Sequence, residues 1–277
     1  MRGGRVLCVT GDRGSRRPVC WVRDAAARHR LPSQIRPDLP LAELLERLAA
    51  HTSLVEIDSF GLHTVLSPLN RRAAAASGLR FTVHGPYGYD IDPGSLDEAV
   101  RRTAVDLHRR HLEAAAEMGA IVYVAHPDYM EPRGPRDPRV VAALQRTIAD
   151  LADIQRDTGV PVAMENLPGV GASHFTAPGD LDLDELGLTL DCGHAAISGT
   201  LDAFLAAPRA RLAHVHLHSN LGPSETGDPH RPLGEGVVEA APVLAAARAA
   251  GATVIIEHLD EPSAMASLAW FERSGLV

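Results

Sequence analysis

The sequence of 277 residues contains no lysine, because all 27 of its basic residues are arginine. This absence excludes Schiff-base aldolases, pyridoxal enzymes and P-loop nucleotide hydrolases, since each of these classes needs a lysine amine. Aromatic residues make up only 4% of the chain and the formal net charge is −8. The chain therefore lacks both the base-stacking platforms and the positive field of a simple nucleic-acid binder.

Cysteine is also scarce. Cys8, Cys20 and Cys192 are an odd number, widely spaced and without a CxxC pair. They predict neither a disulfide framework nor a zinc knuckle, and they favour a reducing, cytoplasmic environment. Because the sequence shows no signal peptide and no apolar run of membrane-spanning length, we expect no membrane association, and nothing indicates an obligate protein partner.

Short apolar runs alternate with helical segments along the whole chain. Their nearly continuous apolarity is typical of parallel strands that are buried on both faces. A unit of about 35 residues repeated eight times predicts a single (β/α)₈ TIM barrel over residues 1–277. An open doubly wound sheet is the alternative, but residues 11–16 do not carry its GxGxxG turn. The predicted strands are residues 6–9, 54–57, 80–84, 120–126, 160–165, 188–191, 212–218 and 253–257.

Helix signals separate most of these strands. Residues 95–98 read Ser-Leu-Asp-Glu, a capping box that predicts a helix ending before Gly119. Residues 137–158 form a second predicted helix with Gly159 as its stop, and shorter helices are predicted at 41–50, 200–207, 237–250 and 263–273. The signals after the first and fifth strands are weaker. Arg101 and Arg102 are predicted to carry charge on an outer helix face.

The last residues of strands three to eight are all metal-ligand types. By chance this would occur roughly once in a thousand sequences of this composition. Several buried carboxylates at one barrel mouth would repel each other without cations, and imidazoles with carboxylates suit zinc, manganese or iron(II). With the groups that follow strands six and seven, the candidate ligands number nine, enough for two or three ions: His84, His126, Glu165, Asp191, His194, His216, Asp228, His230 and Glu257.

These residues lie in motifs that resemble endonuclease IV (AP endonuclease family 2), a branch of the xylose-isomerase-like TIM barrels. The resemblance covers roughly residues 80 to 258, and its most specific part is Asp-x-His followed by Gly-Glu-Gly. The motifs are Val83-His84-Gly85-Pro86-Tyr87, Ala125-His126, Met164-Glu165-Asn166, Leu190-Asp191-Cys192-Gly193-His194, Val215-His216-Leu217, Asp228-Pro229-His230 with Gly234-Glu235-Gly236, and Ile256-Glu257.

The resemblance implies a trinuclear zinc cluster with a ligand set for each ion. Glu165 would bridge two ions, with His84 and His126 completing the first site. Asp191, His216 and Glu257 would hold the second ion, and His194, Asp228 and His230 the third. Glu165, Glu257 and His194 are the predicted catalytic residues, whereas Tyr87, Arg231 and His218 are weaker candidates for substrate contacts.

Such a cluster predicts a metal-dependent phosphoester or phosphodiester hydrolase, in which a hydroxide that bridges two ions attacks phosphorus. Three dications would add six positive charges to a chain of net charge −8, so the mouth could be locally positive on an acidic protein. We therefore expect a phosphorylated small molecule or a nucleic acid as substrate.

Two other functions remain open at this point. A mononuclear sugar (or sugar-phosphate) isomerase or epimerase on the same barrel would need only Glu165, Asp191, His216 and Glu257. A non-catalytic barrel with structural metals is the third possibility. Glu56 has two interpretations, a hydrogen-bond acceptor beneath the metals or a solvated carboxylate.

Overall fold

The computed structural model describes residues 29–88, 91–128, 136–169, 173–207 and 211–276. Eight parallel strands follow one another around the sheet in chain order, and the eighth lies beside the first. The predicted (β/α)₈ barrel is confirmed. The strands are β1 (His29–Pro32), β2 (Thr52–Asp58), β3 (Arg80–His84), β4 (Tyr123–Ala125), β5 (Val162–Glu165), β6 (Gly187–Asp191), β7 (Leu212–Leu217) and β8 (Thr253–Ile256).

Helices follow most of the strands. Between β5 and β6 the described residues contain no α-helix, in agreement with the weak helix signal there. None of the described helices is both long and apolar enough to cross a membrane. The helices are α1 (Leu41–Leu48), α2 (Pro68–Ser77), α3 (Glu98–Glu117), α4 (Pro138–Thr158), α5 (Cys192–Ile197), α6 (Leu201–Ala206), α7 (Ala240–Ala250) and α8 (Glu261–Ser274).

The first strand of the barrel differs from the prediction. The run at residues 6–9 lies outside the described residues, and the strand that pairs with β2 is His29–Pro32, with Leu31 opposite Val55. This strand reads His-Arg-Leu-Pro. It contains no β-branched residue and ends in proline, so neither apolarity nor strand propensity marks it in the sequence.

Successive side chains of β2 point alternately towards the surrounding helices and into the barrel. Val55 and Ile57 belong to the hydrophobic core between sheet and helices. Glu56, between them in sequence, is almost completely buried and accepts a hydrogen bond from Thr82 Oγ1 at 2.9 Å. Because successive side chains of a strand point to opposite faces, Glu56 points into the barrel.

Aspartate caps begin the two longest helices. The Asp97 side chain accepts a hydrogen bond from the backbone N–H of Ala99, so the cap of α3 is Asp97 and not Ser95 as the capping box suggested. Asp137 caps α4 in the same way, and Gly159 ends that helix in the left-handed conformation with φ of 72°. The predicted helix at 137–158 is therefore confirmed, with Asp137 as its cap and Pro138 as its first residue.

Arg101 does not lie on an outer face, and that prediction was wrong. Its side chain is only 3% exposed, whereas that of Arg102 is 73% exposed. The Arg101 guanidinium contacts Glu98 within α3 and reaches Asp150 Oδ2 at 2.6 Å and Thr147 Oγ1 at 3.0 Å on α4. Arg101 therefore joins the two longest helices.

We expect Arg101→Ala to lower the free energy of unfolding by about 1–3 kcal/mol, because it removes a buried set of charged hydrogen bonds. The loss stays below that of a fully buried ion pair, since Glu98 and Asp150 are each almost half exposed and can be rehydrated. Urea denaturation measures the change. Arg102→Ala is the matched control and should alter the unfolding curve little; equal effects of the two substitutions would contradict the assignment.

Candidate metal centre

The ends of β3, β4 and β5 bring two imidazoles to one carboxylate. His84 Nε2 and His126 Nε2 each lie 3.2 Å from the same oxygen, Oε2 of Glu165. His84 Nδ1 lies 2.9 Å from the carbonyl oxygen of Gly85, to which its N–H donates, so the lone pair of Nε2 is directed at Glu165. Either a proton or a metal ion must lie between these nitrogens and the carboxylate oxygen. We call His84, His126 and Glu165 the first group.

Glu165 also belongs to a second group, which it forms with Asp191, His216 and Glu257. His216 Nδ1 lies 3.3 Å from Glu165 Oε1 and 3.2 Å from Glu257 Oε2. All four side chains are buried. Glu165 therefore belongs to two groups, and its two oxygens face different ones.

The third group contains His194, His218, Asp228 and His230. Asp228 Oδ2 lies 2.7 Å from His194 Nε2 and 2.8 Å from His230 Nε2. His194 Nδ1 lies 2.9 Å from the carbonyl oxygen of Asn166, so Nε2 is the nitrogen left for coordination. The nine residues predicted from the sequence thus lie together in three groups.

Local structure holds the third group in place. Asp191 caps α5 by accepting a hydrogen bond from the backbone N–H of His194 at 2.6 Å. His230 has a positive φ of 46°, a strained conformation for a non-glycine residue. His258 stabilises that turn, because its ring binds the carbonyl oxygen of His230 at 2.8 Å and Ser267 Oγ at 2.7 Å.

The side chains present fit divalent metal ions. Asp228 Oδ1, His230 Nδ1 and Glu257 Oε2 are buried polar atoms without a hydrogen-bond partner, which in a folded protein requires an explanation. The other oxygen of Glu257 accepts a hydrogen bond from Gln34 Nε2 at 3.0 Å, which leaves Oε2 facing the second group. Imidazoles and carboxylates without thiolates suit zinc, manganese or iron(II).

The carboxylates hold protons on most of these imidazoles when no metal competes. Burial lowers the pKa of His84, but the hydrogen bond and charge of Glu165 more than offset this effect and raise the pKa to about 9. The pKa of His230 is likewise about 9, because Glu257 and Asp228 outweigh its burial. The same balance raises the pKa of His194 and of His216 well above the usual range. His126 differs, since burial dominates and lowers its pKa.

Glu56 lies behind the second group, and the sequence alone could not decide its position. Its Oε1 is 2.9 Å from His216 Nε2, and its Oε2 is 3.1 Å from His214 Nε2. Burial raises the pKa of the Glu56 carboxyl, but the two imidazoles more than offset this and hold it well below its usual range. A buried carboxylate behind a ligand imidazole orients the ring and fixes which nitrogen binds the metal. In the sequence, the alternation of His214, His216 and His218 along one strand was the signal from which these contacts could have been predicted.

The three candidate substrate contacts lie in different surroundings. The Tyr87 ring stacks on His126 at a centroid distance of 4.6 Å and lies 5.4 Å from the ring of Phe60, so it forms an aromatic wall beside the first group. Arg231 pairs with Glu225 through contacts of 2.7 and 3.2 Å. His218 is buried within the third group.

Comparison with known proteins agrees with this architecture. The family described as Xylose isomerase-like TIM barrel matches residues 67–274. The uncharacterized protein MJ1614 of Methanocaldococcus jannaschii is 30% identical over 73% of this chain and 79% of its own length. A probable endonuclease 4 of Mycobacterium leprae is 30% identical over 67% of this chain and 75% of its own length.

Among solved structures, a D-tagatose 3-epimerase-like protein superposes with a TM-score of 0.76 at 26% identity, covering 89% of this chain and 96% of that chain. A D-psicose 3-epimerase reaches a TM-score of 0.69 at 17% identity over 89% of this chain and 98% of its own, a likeness of fold alone. Relatives in sequence and neighbours in structure therefore carry names from two reaction classes.

Metal binding should release protons. At pH 7 the four imidazoles with raised pKa values, those of His84, His194, His216 and His230, are protonated, so coordination of zinc must displace up to four protons. Apparent affinity should rise as the pH increases from 6 to 9. Calorimetric titration in buffers of different ionisation enthalpy measures the proton count, and a binding heat that is independent of the buffer would contradict it.

We expect Glu56→Gln to weaken metal binding at the second group by about 10- to 100-fold, because the ring of His216 loses the carboxylate behind it. Competition with a chromophoric chelator measures the affinity. Glu185→Gln is the control, since Glu185 pairs with Arg156 at an exposed position. Unchanged affinity in a folded Glu56→Gln variant would show that Glu56 does not orient His216.

Proposed function

Because the chain belongs to the xylose isomerase-like TIM barrel family, we propose that it is a metal-dependent phosphoester hydrolase of the endonuclease IV type with three metal sites. The observation that carries this proposal is the convergence of nine buried or partly buried imidazoles and carboxylates into three groups, two of which share Glu165. The sequence similarity to a probable endonuclease 4 supports the same assignment.

Clustered divalent ions supply two things to phosphoester hydrolysis: a water of lowered pKa and neutralisation of phosphate charge. Glu165 would hold the first and second ions together through its two oxygens. Gln34 and His216 keep Glu257 Oε2 turned towards the second group. His194 and Asp228, held by Asn166 and α5, would retain the third ion beside them.

The substrate would enter beside Tyr87, whose ring borders the first group, and Phe60, whose ring lies against that of Tyr87. This aromatic wall suits the sugar or base attached to a phosphate. Arg231 is a weaker candidate for binding phosphate, because Glu225 already neutralises its guanidinium. We propose a phosphorylated small molecule or a nucleic acid as substrate, with the reaction in the cytoplasm and without a membrane or an obligate protein partner.

A sugar epimerase or isomerase is the second candidate, and a specific observation favours it. Glu165, Asp191, His216 and Glu257 could hold one ion without the other groups, and the two glutamates would then move the proton. The likeness to a D-tagatose 3-epimerase-like protein points the same way. This function would leave His84, His126, Asp228 and His230 without a role, which is why we place it second.

Variants of the first group separate the two functions. We expect the zinc- or manganese-loaded protein to cleave bis(p-nitrophenyl) phosphate or an abasic DNA duplex, and His126→Asn to reduce turnover by at least about 100-fold, because one of two neighbouring ions loses a ligand. Glu165→Ala should abolish cleavage. Initial rates and metal counts on the same preparations provide the measurement, with near three ions per chain expected.

His63→Asn is the matched control. His63 is a buried histidine that binds the carbonyl oxygen of Leu39 and belongs to none of the three groups. Full phosphodiesterase activity in His126→Asn would contradict the role of the first group. Absence of cleavage, with conversion of a ketohexose by a protein that holds one ion per chain, would replace the hydrolase assignment with the epimerase.

A further inference from the structure

Asp58 ends β2 at the same rim as the three metal groups, but it belongs to none of them. Its Oδ1 is a buried oxygen that has no hydrogen-bond partner among the described residues. A buried carboxylate oxygen without a donor is uncommon in a folded protein and requires an explanation. Asp228 and Glu257 have such an explanation in the ions of their groups, whereas Asp58 has none so far.

Strand pairing fixes the direction of the Asp58 side chain. Asp58 lies opposite His84 in the parallel pairing of β2 with β3, and Glu56 lies opposite Thr82. Paired residues of neighbouring strands point to the same face of the sheet, and Glu56 and Thr82 share a hydrogen bond inside the barrel. Asp58 is two residues beyond Glu56 towards the rim. Its carboxyl therefore points into the mouth of the barrel, beside the ring of His84.

The backbone of Asp58 is held from both sides. Its N–H donates to Ser33 Oγ at 3.0 Å, and the N–H of Ser59 donates to the carbonyl oxygen of His84 at 3.0 Å. Ser59 Oγ accepts a hydrogen bond from the N–H of Val65 at 2.9 Å, which closes the loop after β2. The carboxyl of Asp58 is therefore presented from a fixed position, as a binding site requires.

The surroundings of Asp58 determine which kind of group can bind it. Burial raises the pKa of its carboxyl to about 6, because the charge of His84 offsets only part of that effect and Glu56 and Glu257 add negative charge nearby. An ionised carboxylate can only accept hydrogen bonds, so its partner must be a donor. An uncharged hydroxyl meets this requirement, whereas a phosphate would add a like charge.

The aromatic wall borders the same position. The ring of Tyr87 lies edge-on to that of His84 at a centroid distance of 5.1 Å. Phe60, two residues after Asp58, lies against Tyr87 at 5.4 Å. Aromatic rings with a few placed polar groups are typical of small-molecule sites. A sugar matches this combination, because its C–H groups pack on an aromatic ring while its hydroxyls reach a carboxylate.

We propose that Asp58 is a substrate-binding residue, which accepts a hydrogen bond from a hydroxyl of the sugar part of the substrate while the phosphate lies at the metal groups. The substrate is then a phosphorylated molecule with a hydroxyl-bearing sugar, and not a simple alkyl or aryl phosphate. This inference rests on the proposed function for the position of the phosphate. It does not depend on which bond is broken, since an epimerase would present a sugar hydroxyl to the same carboxylate.

Two phosphate esters with the same five-membered ring test the proposal. D-ribose 5-phosphate carries hydroxyls on the ring, whereas tetrahydrofurfuryl phosphate has the ring without them, and D-fructose is a third ligand without phosphate. Isothermal titration calorimetry at pH 8 measures their binding to the zinc-loaded, full-length chain as wild type, Asp58→Ala and Asp58→Asn. The zinc content of each preparation is also counted. Asp106→Ala is the matched control, since Asp106 is exposed on α3.

We expect wild type to bind D-ribose 5-phosphate at least about tenfold more tightly than tetrahydrofurfuryl phosphate, because the second ester cannot donate to the buried carboxylate. Asp58→Ala should bind the two esters within about twofold of each other, since neither then gains that hydrogen bond. Its affinity for tetrahydrofurfuryl phosphate should not fall, and its zinc content should match wild type. Asp58→Asn keeps an acceptor oxygen and should retain part of the preference, and Asp106→Ala should behave as wild type.

Three results would overturn the proposal. Equal affinity of wild type for the two esters would leave only water as the partner of Asp58. An equal loss of affinity for both esters in Asp58→Ala would show a structural role. Loss of a zinc ion in that variant would show that Asp58 is a metal ligand.

The outcomes also separate this inference from the proposed function. If wild type cleaves phosphoesters and Asp58→Ala retains the preference for D-ribose 5-phosphate, the hydrolase assignment stands and the inference fails. If wild type neither cleaves nor binds the esters but binds D-fructose, the hydrolase assignment fails. A loss of D-fructose affinity of at least about tenfold in Asp58→Ala would then uphold the role of the carboxylate. Unchanged D-fructose binding in that variant, or no binding of any of the three ligands to wild type, would overturn both.

Discussion

The structure depends on how buried negative charge is neutralised at one end of the barrel. Glu56, Glu165, Asp191 and Glu257 are almost completely buried, and Asp228 adds a fifth carboxylate beside them. Uncompensated ions in such surroundings are very costly, so each needs a proton or a metal close by. The imidazoles serve both states, because they hold protons in the metal-free protein and offer lone pairs once a metal displaces those protons.

At this end of the barrel, residues that are not themselves candidate ligands hold the candidate ligands in position. Asn166 binds both the N–H and the carbonyl oxygen of Asp191, and its own carbonyl oxygen fixes the ring of His194. His258 and Ser267 stabilise the strained turn at His230. Such preorganisation means that ions find a nearly formed site rather than ordering flexible loops.

Sequence reasoning succeeded where chain order and strand periodicity determine position. The residues that end β3 to β8 must meet at one rim once the barrel is accepted, so His84, Glu165 and Asp191 could be predicted to converge. It failed where position depends on packing between distant segments. Arg101 and Arg102 are neighbours with the same side chain, and only the approach of α4 buries one of them. Likewise, the role of Glu56 depends on its distance from His214 and His216, and β1 carries no apolar pattern.

The number of ions determines which substrate the rim can accept. Glu165, Asp191, Asp228 and Glu257 belong to the three groups, and Glu56 contacts His216, which makes five carboxylates around the imidazoles. Three dications with neutral imidazoles would exceed the charge of these five carboxylates by one, which favours a phosphate. One dication would leave three negative charges to be balanced by protons on imidazoles such as His84 and His230, whose pKa values are about 9. Such a rim is close to neutral and suits an uncharged sugar, so the two candidate functions correspond to two charge states of one set of side chains.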